Sequence, residues 1–256
     1  MWQQDPAAED RAFISEGPTS FLFAAMSTSA PHPAPAPSTA VNGLLFVASD
    51  VDAADEADFN RWYDKEHVEE RVRIPGFLSG ARYLSLEGGR KYLGLYRTES
   101  LEVFGSAGYR AAFERQTPWS VANLDRMRQP MRRVCAVRAV TGFGSGSHLA
   151  VLPLPATSQD AGAEALAARA AEAGRGLAQQ PGFVQSYLLV PDTALSTPLP
   201  RESAVQRELL PMLVVEASSA AAARAARTQA AAALDTDPSA AWLLALGWKL
   251  TAAELN

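Results

Sequence analysis

Apolar positions along this chain follow a strand, helix, strand, strand, helix, strand order, and they follow it twice. Leu44 to Ser49 is a short apolar run of strand length. A helix-like stretch follows, with Asp55 and Asp58 as cap-type residues, and continues to about Ile74, where Pro75-Gly76 stops it. Ala81 to Leu86 and Lys91 to Arg97 read as strands joined by the Glu87-Gly88-Gly89-Arg90 turn. A second helical region starts at Ser100, is interrupted by Pro118, and ends near Arg128 before the β-rich run from Arg133 to Val140. After the glycine-rich stretch Gly142–Ser147 the order recurs. Leu149–Leu154, Phe183–Val190, Leu209–Glu216 and Trp242–Leu250 read as strands, and Ala161–Gln179 and Ser218–Leu234 as helices. Pro75-Gly76-Phe77 returns as Pro181-Gly182-Phe183, each time between a helix and a strand. Such self-similarity marks one supersecondary unit used twice.

A β-α-β-β-α-β unit is the ferredoxin-like plan, a four-stranded antiparallel sheet with both helices on one face. Its other face is bare and needs a cover. The expected fold is therefore α+β, two tandem ferredoxin-like βαββαβ domains packed sheet to sheet, with helices outside. The expected boundaries are a disordered Pro/Ala-rich tail over 1–41, a first domain over 42–143 carrying the active site, and a second, degenerate domain over 144–256. The Gly142–Ser147 segment precedes a strand instead of opening a helix, so it reads as a linker and not a phosphate loop.

Composition narrows the function. Of the 256 residues 48% are hydrophobic and 20% charged, the proportions of a globular protein. A formal charge of −5 argues against a nucleic-acid partner. Arg126, Arg128, Arg132, Arg133 and Arg138 gather in one stretch and read as a solvated rim, with a site for an acidic substrate as the alternative. The single cysteine, Cys135, excludes an internal disulfide and, in its apolar run, reads as an inert buried thiol. No apolar run is long enough to span a bilayer, and the acidic residues Asp5, Glu9 and Asp10 are unlike a secretory leader, so the chain reads as cytoplasmic with no membrane partner. Met26, ahead of the Pro/Ala-rich stretch, reads as the native start, with residues 1–25 outside the natural chain.

The chemistry concentrates in the first helix. On a wheel of about 100° per residue, Phe59, Trp62, Tyr63, Glu66, Glu70 and Ile74 share one face, with His67 at its edge. The aromatic residues turn that face to the sheet and carry two carboxylates inward with them. Buried carboxylates must be paired, protonated or hydrated. A histidine within a turn of a phenol and acids is a candidate general base. An ion-paired solvated surface is the competing reading of Asp64 to Arg71. The alanine-rich helices of the second copy offer no comparable groups. The histidines are scattered, with no metal-binding spacing, and no serine or cysteine has a nucleophile's context.

Phe59-x-x-Trp62-Tyr63-x-x-x-His67-Val68, followed by Ile74-Pro75-Gly76-Phe77 and the Tyr83 strand, resembles the dimeric α+β barrel superfamily, most of all its EthD-like branch. Ala107-Gly108-Tyr109-Arg110 and Thr117-Pro118-Trp119 add to the likeness, which covers roughly residues 42–142. The resemblance implies a barrel normally made by two chains and here made within one. It implies a pocket between sheet and helices, and acid–base roles for Tyr63 and His67. Activities in the superfamily include cofactor-free monooxygenation, lactone isomerisation, polyketide cyclisation and haem chemistry.

The leading expectation is a cofactor-independent isomerase, cyclase or lyase acting on a small apolar, aromatic or lactone-type molecule. His67 takes a proton, and Tyr63 or Glu66 donates to the developing oxyanion. Trp62, Glu70, Tyr83, Tyr92, Tyr96, Tyr109 and Trp119 are the expected substrate-binding residues. Strand alternation puts Tyr92 and Tyr96 on one face. The alternatives are a cofactor-free monooxygenase, a haem enzyme, and a non-enzymatic binding or assembly module, since fold alone does not fix function. A homodimer of the internal pseudo-dimer is the assembly that this plan allows.

Overall fold

The computed structural model describes residues 42–155, 160–203, 205 and 207–255. The tail over 1–41, with Met26, lies outside the described residues. The first half runs β1 (Gly43–Asp50), α1 (Glu56–Trp62), a π-helical turn (Tyr63–His67), α2 (Val68–Val72), β2 (Phe77–Glu87), β3 (Tyr92–Thr98), α3 (Ala107–Glu114), α4 (Pro118–Arg126) and β4 (Arg128–Gly142). The second runs β5 (His148–Pro153), α5 (Asp160–Leu177), β6 (Phe183–Pro191), β7 (Met212–Ala217), α6 (Ala220–Leu234) and β8 (Trp242–Thr251).

The strands close into one antiparallel barrel in the order β1-β3-β2-β8-β5-β7-β6-β4. Each half supplies a ferredoxin-like sheet, and the halves join through both pairs of edges. β2 pairs with β8 from Ser79↔Thr251 to Glu87↔Leu243, and β4 pairs with β6 from Cys135↔Pro191 to Gly142↔Gln185. Closure leaves no strand edge unpaired. Both faces of the wall are apolar because both are covered. On β1, Leu44, Phe46 and Ala48 point into the barrel, while Leu45 packs outward under the helices.

The repeated Pro-Gly-Phe is the same turn in both halves. Gly76 and Gly182 take φ of 88° and 80°, a region that favours glycine. The Gly76 carbonyl accepts from Glu99 N (2.9 Å) and the Gly182 carbonyl from Ser218 N (2.8 Å), fixing each turn to the end of the neighbouring strand.

One expectation changes. The basic stretch is not a solvated rim throughout: Arg132 and Arg133 are buried. Alternation along β4 sends Arg132 under the helices and Arg133 to the barrel mouth, where it pairs with Glu202. A long connection follows β6. Asp192–Glu202 crosses back over the first half, where Ser196 Oγ accepts from Val134 N (2.9 Å) and donates to Val134 O (3.1 Å). Among the described residues no helix is long and apolar enough to cross a membrane.

Candidate functional site

The first helix is not a uniform α-helix. At Tyr63–His67 it widens by one residue, and Val68 N donates to Tyr63 O five positions back. On an ideal α-helix Trp62 and His67 lie about 140° apart; the wide turn instead stacks their rings at 4.3 Å between centroids. His67 is thereby pulled from the edge of the buried face into its centre, only 5% exposed. Tyr63 is buried beside it, with ring centroids 5.0 Å apart. Gly94 on β3 makes room for this phenol, since a Cβ there would lie 2.6 Å from Tyr63 Oη.

The same widening turns the carboxylates away from the sheet, against the wheel's expectation. Glu66 is half-buried and faces α4, accepting from Ser120 Oγ (3.0 Å) and Thr117 Oγ1 (2.5 Å). Glu70 is also half-buried, and burial and then the neighbouring Glu66 raise its pKa. No acid touches His67. Asp64 points the other way, to Arg82 (2.8 Å) and the Trp248 indole (2.8 Å).

Between this helix, the outer face of the sheet, α3 and α4 lies a cavity of about 30 Å³. His67 and Arg71 line it from the helix, Tyr96 and Arg132 from the sheet, and Phe113 from α3. Leu199, from the β6–β7 connection, closes the far wall. That connection is held by Arg132, whose Nη1 donates to the carbonyls of Leu195 (2.9 Å) and Thr197 (3.0 Å). The cavity is large enough for a water molecule but not for an aromatic ring. His67 Nδ1 and Arg71 Nη1 are both buried without a hydrogen-bond partner.

Electrostatics keep the imidazole neutral. Burial, reinforced by the Arg71 and Arg82 guanidiniums, holds the His67 pKa well below its ordinary value. Tyr63 on the same turn, and Tyr96 and Arg132 from the sheet, are the other titratable or charged groups beside it; burial raises both phenols, that of Tyr96 strongly. A histidine whose folded-state pKa is depressed contributes stability above its unfolded pKa. That contribution is lost as pH falls from about 6.5 toward the folded value. The wild-type Tm is expected to fall over this window, and His67→Gln to flatten the slope. Thermal melts from pH 7.5 to 5 check this; equal slopes in both proteins would refute it.

The other expected site residues separate. Tyr92 and Tyr96 do share a face, but Tyr92 is engaged with Glu56 (2.6 Å) while Tyr96 lines the cavity. Tyr96 also donates to Tyr63 Oη at 3.4 Å. Trp62 is fully buried and donates to Ser120 Oγ (3.0 Å). Tyr109 stacks on Phe77 and accepts from Arg132 Nη2 (3.0 Å). The Trp119 indole donates to Asp58, whose pKa falls to about 2 under that bond and one from Arg126. Tyr83 points to the opposite side of the sheet, into the barrel, because it alternates with Arg82. Arg71, Arg132 and Leu199 were not expected at the site. The sequence places Arg71 one turn after His67; for Leu199 it carries no signal.

A larger hollow of about 530 Å³ opens at one barrel mouth, over Met131, Met212 and Trp242. The guanidiniums on its wall have carboxylates beside them: Arg133 and Arg207 share Glu202, Arg201 pairs with Asp125, and Arg90 lies 3.8 Å from Asp50. In the second half α5 and α6 pack on their sheet through buried alanines, among them Ala170, Ala223 and Ala230. His148 opens β5 with Nδ1 3.0 Å from Ser147 Oγ.

The fold is a closed eight-stranded antiparallel barrel flanked by helices, with two ferredoxin-like halves in one chain. Solved structures agree at low identity. An anthrone oxidase-like protein superposes with a TM-score of 0.56 at 12% identity, over 84% of this chain and 94% of that one. A provisionally named monooxygenase from Fusobacterium nucleatum subsp. nucleatum gives 0.52 at 9%, over 83% and 95%. Another, from Lactobacillus acidophilus, gives 0.52 at 10%, over 83% and 97%. No protein-family model and no curated protein matches the sequence.

Proposed function

We propose that this protein is a cofactor-independent enzyme that removes a proton from a small, enolisable aromatic substrate at the His67 cavity. The observation that carries the reading is a buried, neutral imidazole whose Nδ1 has no hydrogen-bond partner, on a residue that lines a cavity together with a phenol and two guanidiniums. A neutral base in a dry site needs no desolvation before it reacts. Tyr96, which lines the cavity and whose bond to Tyr63 is long at 3.4 Å, donates to the developing oxyanion. Arg71 stabilises the same negative charge. Tyr63 acts behind Tyr96, and Glu66 positions α4 through Ser120 and Thr117. A ring reaches His67 only when Phe113 and Leu199 swing aside.

Deprotonation is the first step of isomerisation and cyclisation. It is equally the first step of oxygen addition to an electron-rich carbanion, the reading favoured by the names of the anthrone oxidase-like protein and the monooxygenases. The test uses two carbon acids. Phenylpyruvate is incubated with the protein in deuterium oxide, and methylene exchange is followed by NMR; anthrone is incubated in air, and oxygen uptake is followed. Catalysed exchange with phenylpyruvate, or with anthrone under argon, supports the reading. Oxygen uptake with anthrone selects the monooxygenase branch. Exchange of both at the buffer rate overturns it.

A further inference from the structure

We infer that the His67 cavity recognises an aromatic carboxylate, with Arg71 and Arg132 as the carboxylate clamp and the Phe113 position as the ring subsite. The inference rests on the proposed use of this cavity as a substrate site, but not on the reaction performed there.

The other buried guanidiniums among the described residues have carboxylate partners, Arg82 in Asp64 (2.8 Å) and Arg133 in Glu202, and the half-buried Arg97 has Glu216 (2.9 Å). Arg71 and Arg132 are 3% and 5% exposed, and among the described residues neither has one. The Arg132 guanidinium donates only to neutral oxygens, those of Leu195, Thr197 and Tyr109, and its Nε has no partner; Glu202 meets Arg132 only at the backbone N–H (3.2 Å). Arg71 keeps a buried Nη1 without a partner. No acidic side chain lines the cavity that both arginines face. The phenol of Tyr96 cannot supply the missing charge, because burial holds it protonated. Glu70 acts on Arg71 only through space and forms no ion pair with it, so neither guanidinium has a carboxylate against it in the cavity, and an anion between them lowers the cost of burying both. A carboxylate matches the fork of a guanidinium.

The aromatic part follows from the cover. The Phe113 ring sits against both cations, 4.8 Å from Arg71 Cζ and 6.0 Å from Arg132 Cζ, yet it is 39% exposed. An aromatic face is a weak substitute for an anion. The cavity of about 30 Å³ takes a carboxylate-sized group and no more. A ring attached to that group must therefore occupy the place that Phe113 vacates.

The experiment measures binding to the full chain by isothermal titration and by Tm shift, with benzoate, benzamide and acetate as probes. None of these has an exchangeable carbon-bound proton of the kind the catalytic test uses. Benzoate is expected to bind and to raise Tm, with benzamide and acetate each about tenfold weaker or more. Arg71→Met is expected to lose about tenfold or more in benzoate affinity without a lower Tm of its own, because an uncompensated buried charge is removed. Arg71→Lys, which keeps the charge but not the fork, also weakens benzoate and serves if the methionine variant does not fold. Phe113→Ala is expected to tighten benzoate. His67→Ala retains benzoate binding, so loss of catalysis and loss of recognition are read separately. Benzamide binding as tightly as benzoate, acetate binding as tightly as benzoate, or unchanged benzoate affinity in both Arg71 variants overturns the inference.

Discussion

Replacing His67 with alanine is expected to slow methylene exchange in phenylpyruvate by about 10²–10⁴-fold, the usual contribution of a positioned general base. The imidazole is the cavity's one uncharged nitrogen base, and its Nδ1 engages no protein group, so its removal deletes the proton acceptor without breaking a hydrogen bond. What the fold loses is the stack on Trp62, a packing loss of about 1–3 kcal/mol, which leaves the protein folded. The wild-type rate should also hold its plateau below pH 6.5, because burial and two neighbouring guanidiniums keep the base unprotonated there. Exchange rates between pH 5 and 8, with near-ultraviolet circular dichroism as the check on folding, decide the matter. An alanine variant within threefold of wild type would remove His67 from the chemistry.

The repeat made the architecture legible. Pro-Gly-Phe marks the same positive-φ turn twice, and the strand order around it follows from hydrophobic runs that need no knowledge of the rest of the chain. Site geometry was less accessible. A wheel assumes 3.6 residues per turn, and the π-turn at Tyr63–His67 breaks that assumption. One extra residue exchanged Glu66 for His67 as the group facing the sheet. Nothing local in Tyr63-Asp64-Lys65-Glu66-His67 announces the wider turn. It is held by contacts distant in sequence, among them the Trp62 indole and Glu66 carboxylate meeting at Ser120.

Non-local contacts also account for the remaining omissions. Leu199 closes the cavity from the opposite half of the chain, so the alanine-rich half, though poor in reactive groups, supplies part of the wall. Tyr83 was expected at the pocket because it follows the family-like motif, yet alternation along β2 puts it inside the barrel. The glycine linker runs from β4 into β5, and it holds an anion of its own, since Gly146 N donates to the protein's own Glu216 at 2.7 Å.

That carboxylate gives the largest expected effect on stability. Glu216 stands on β7, inside the barrel and 3% exposed. Its Oε1 accepts from Arg97 (2.9 Å), Gln185 (3.1 Å) and Tyr187 (3.1 Å). Arg97 comes from β3 in the first half, so the pair spans the barrel interior between the halves, and its guanidinium lies 4.5 Å from the Tyr187 ring. A buried ion pair gives little net stability over an apolar replacement, but deleting one partner strands the other, at a cost of about 3–5 kcal/mol. The Arg97 side chain is 31% exposed and recovers some hydration, so Glu216→Leu is expected near the lower end, about 3 kcal/mol. In a fold of this size that corresponds to a Tm lower by about 6–12 °C. Arg97→Met is expected to be destabilising as well, and the double variant to be more stable than the sum of the single losses predicts, because neither charge is left behind. Urea unfolding of the two single variants and the double variant measures the cycle. Additive losses, or a Glu216→Leu cost below about 1 kcal/mol, would mean that the apolar wall alone closes the barrel and that the buried charges contribute nothing to joining its halves.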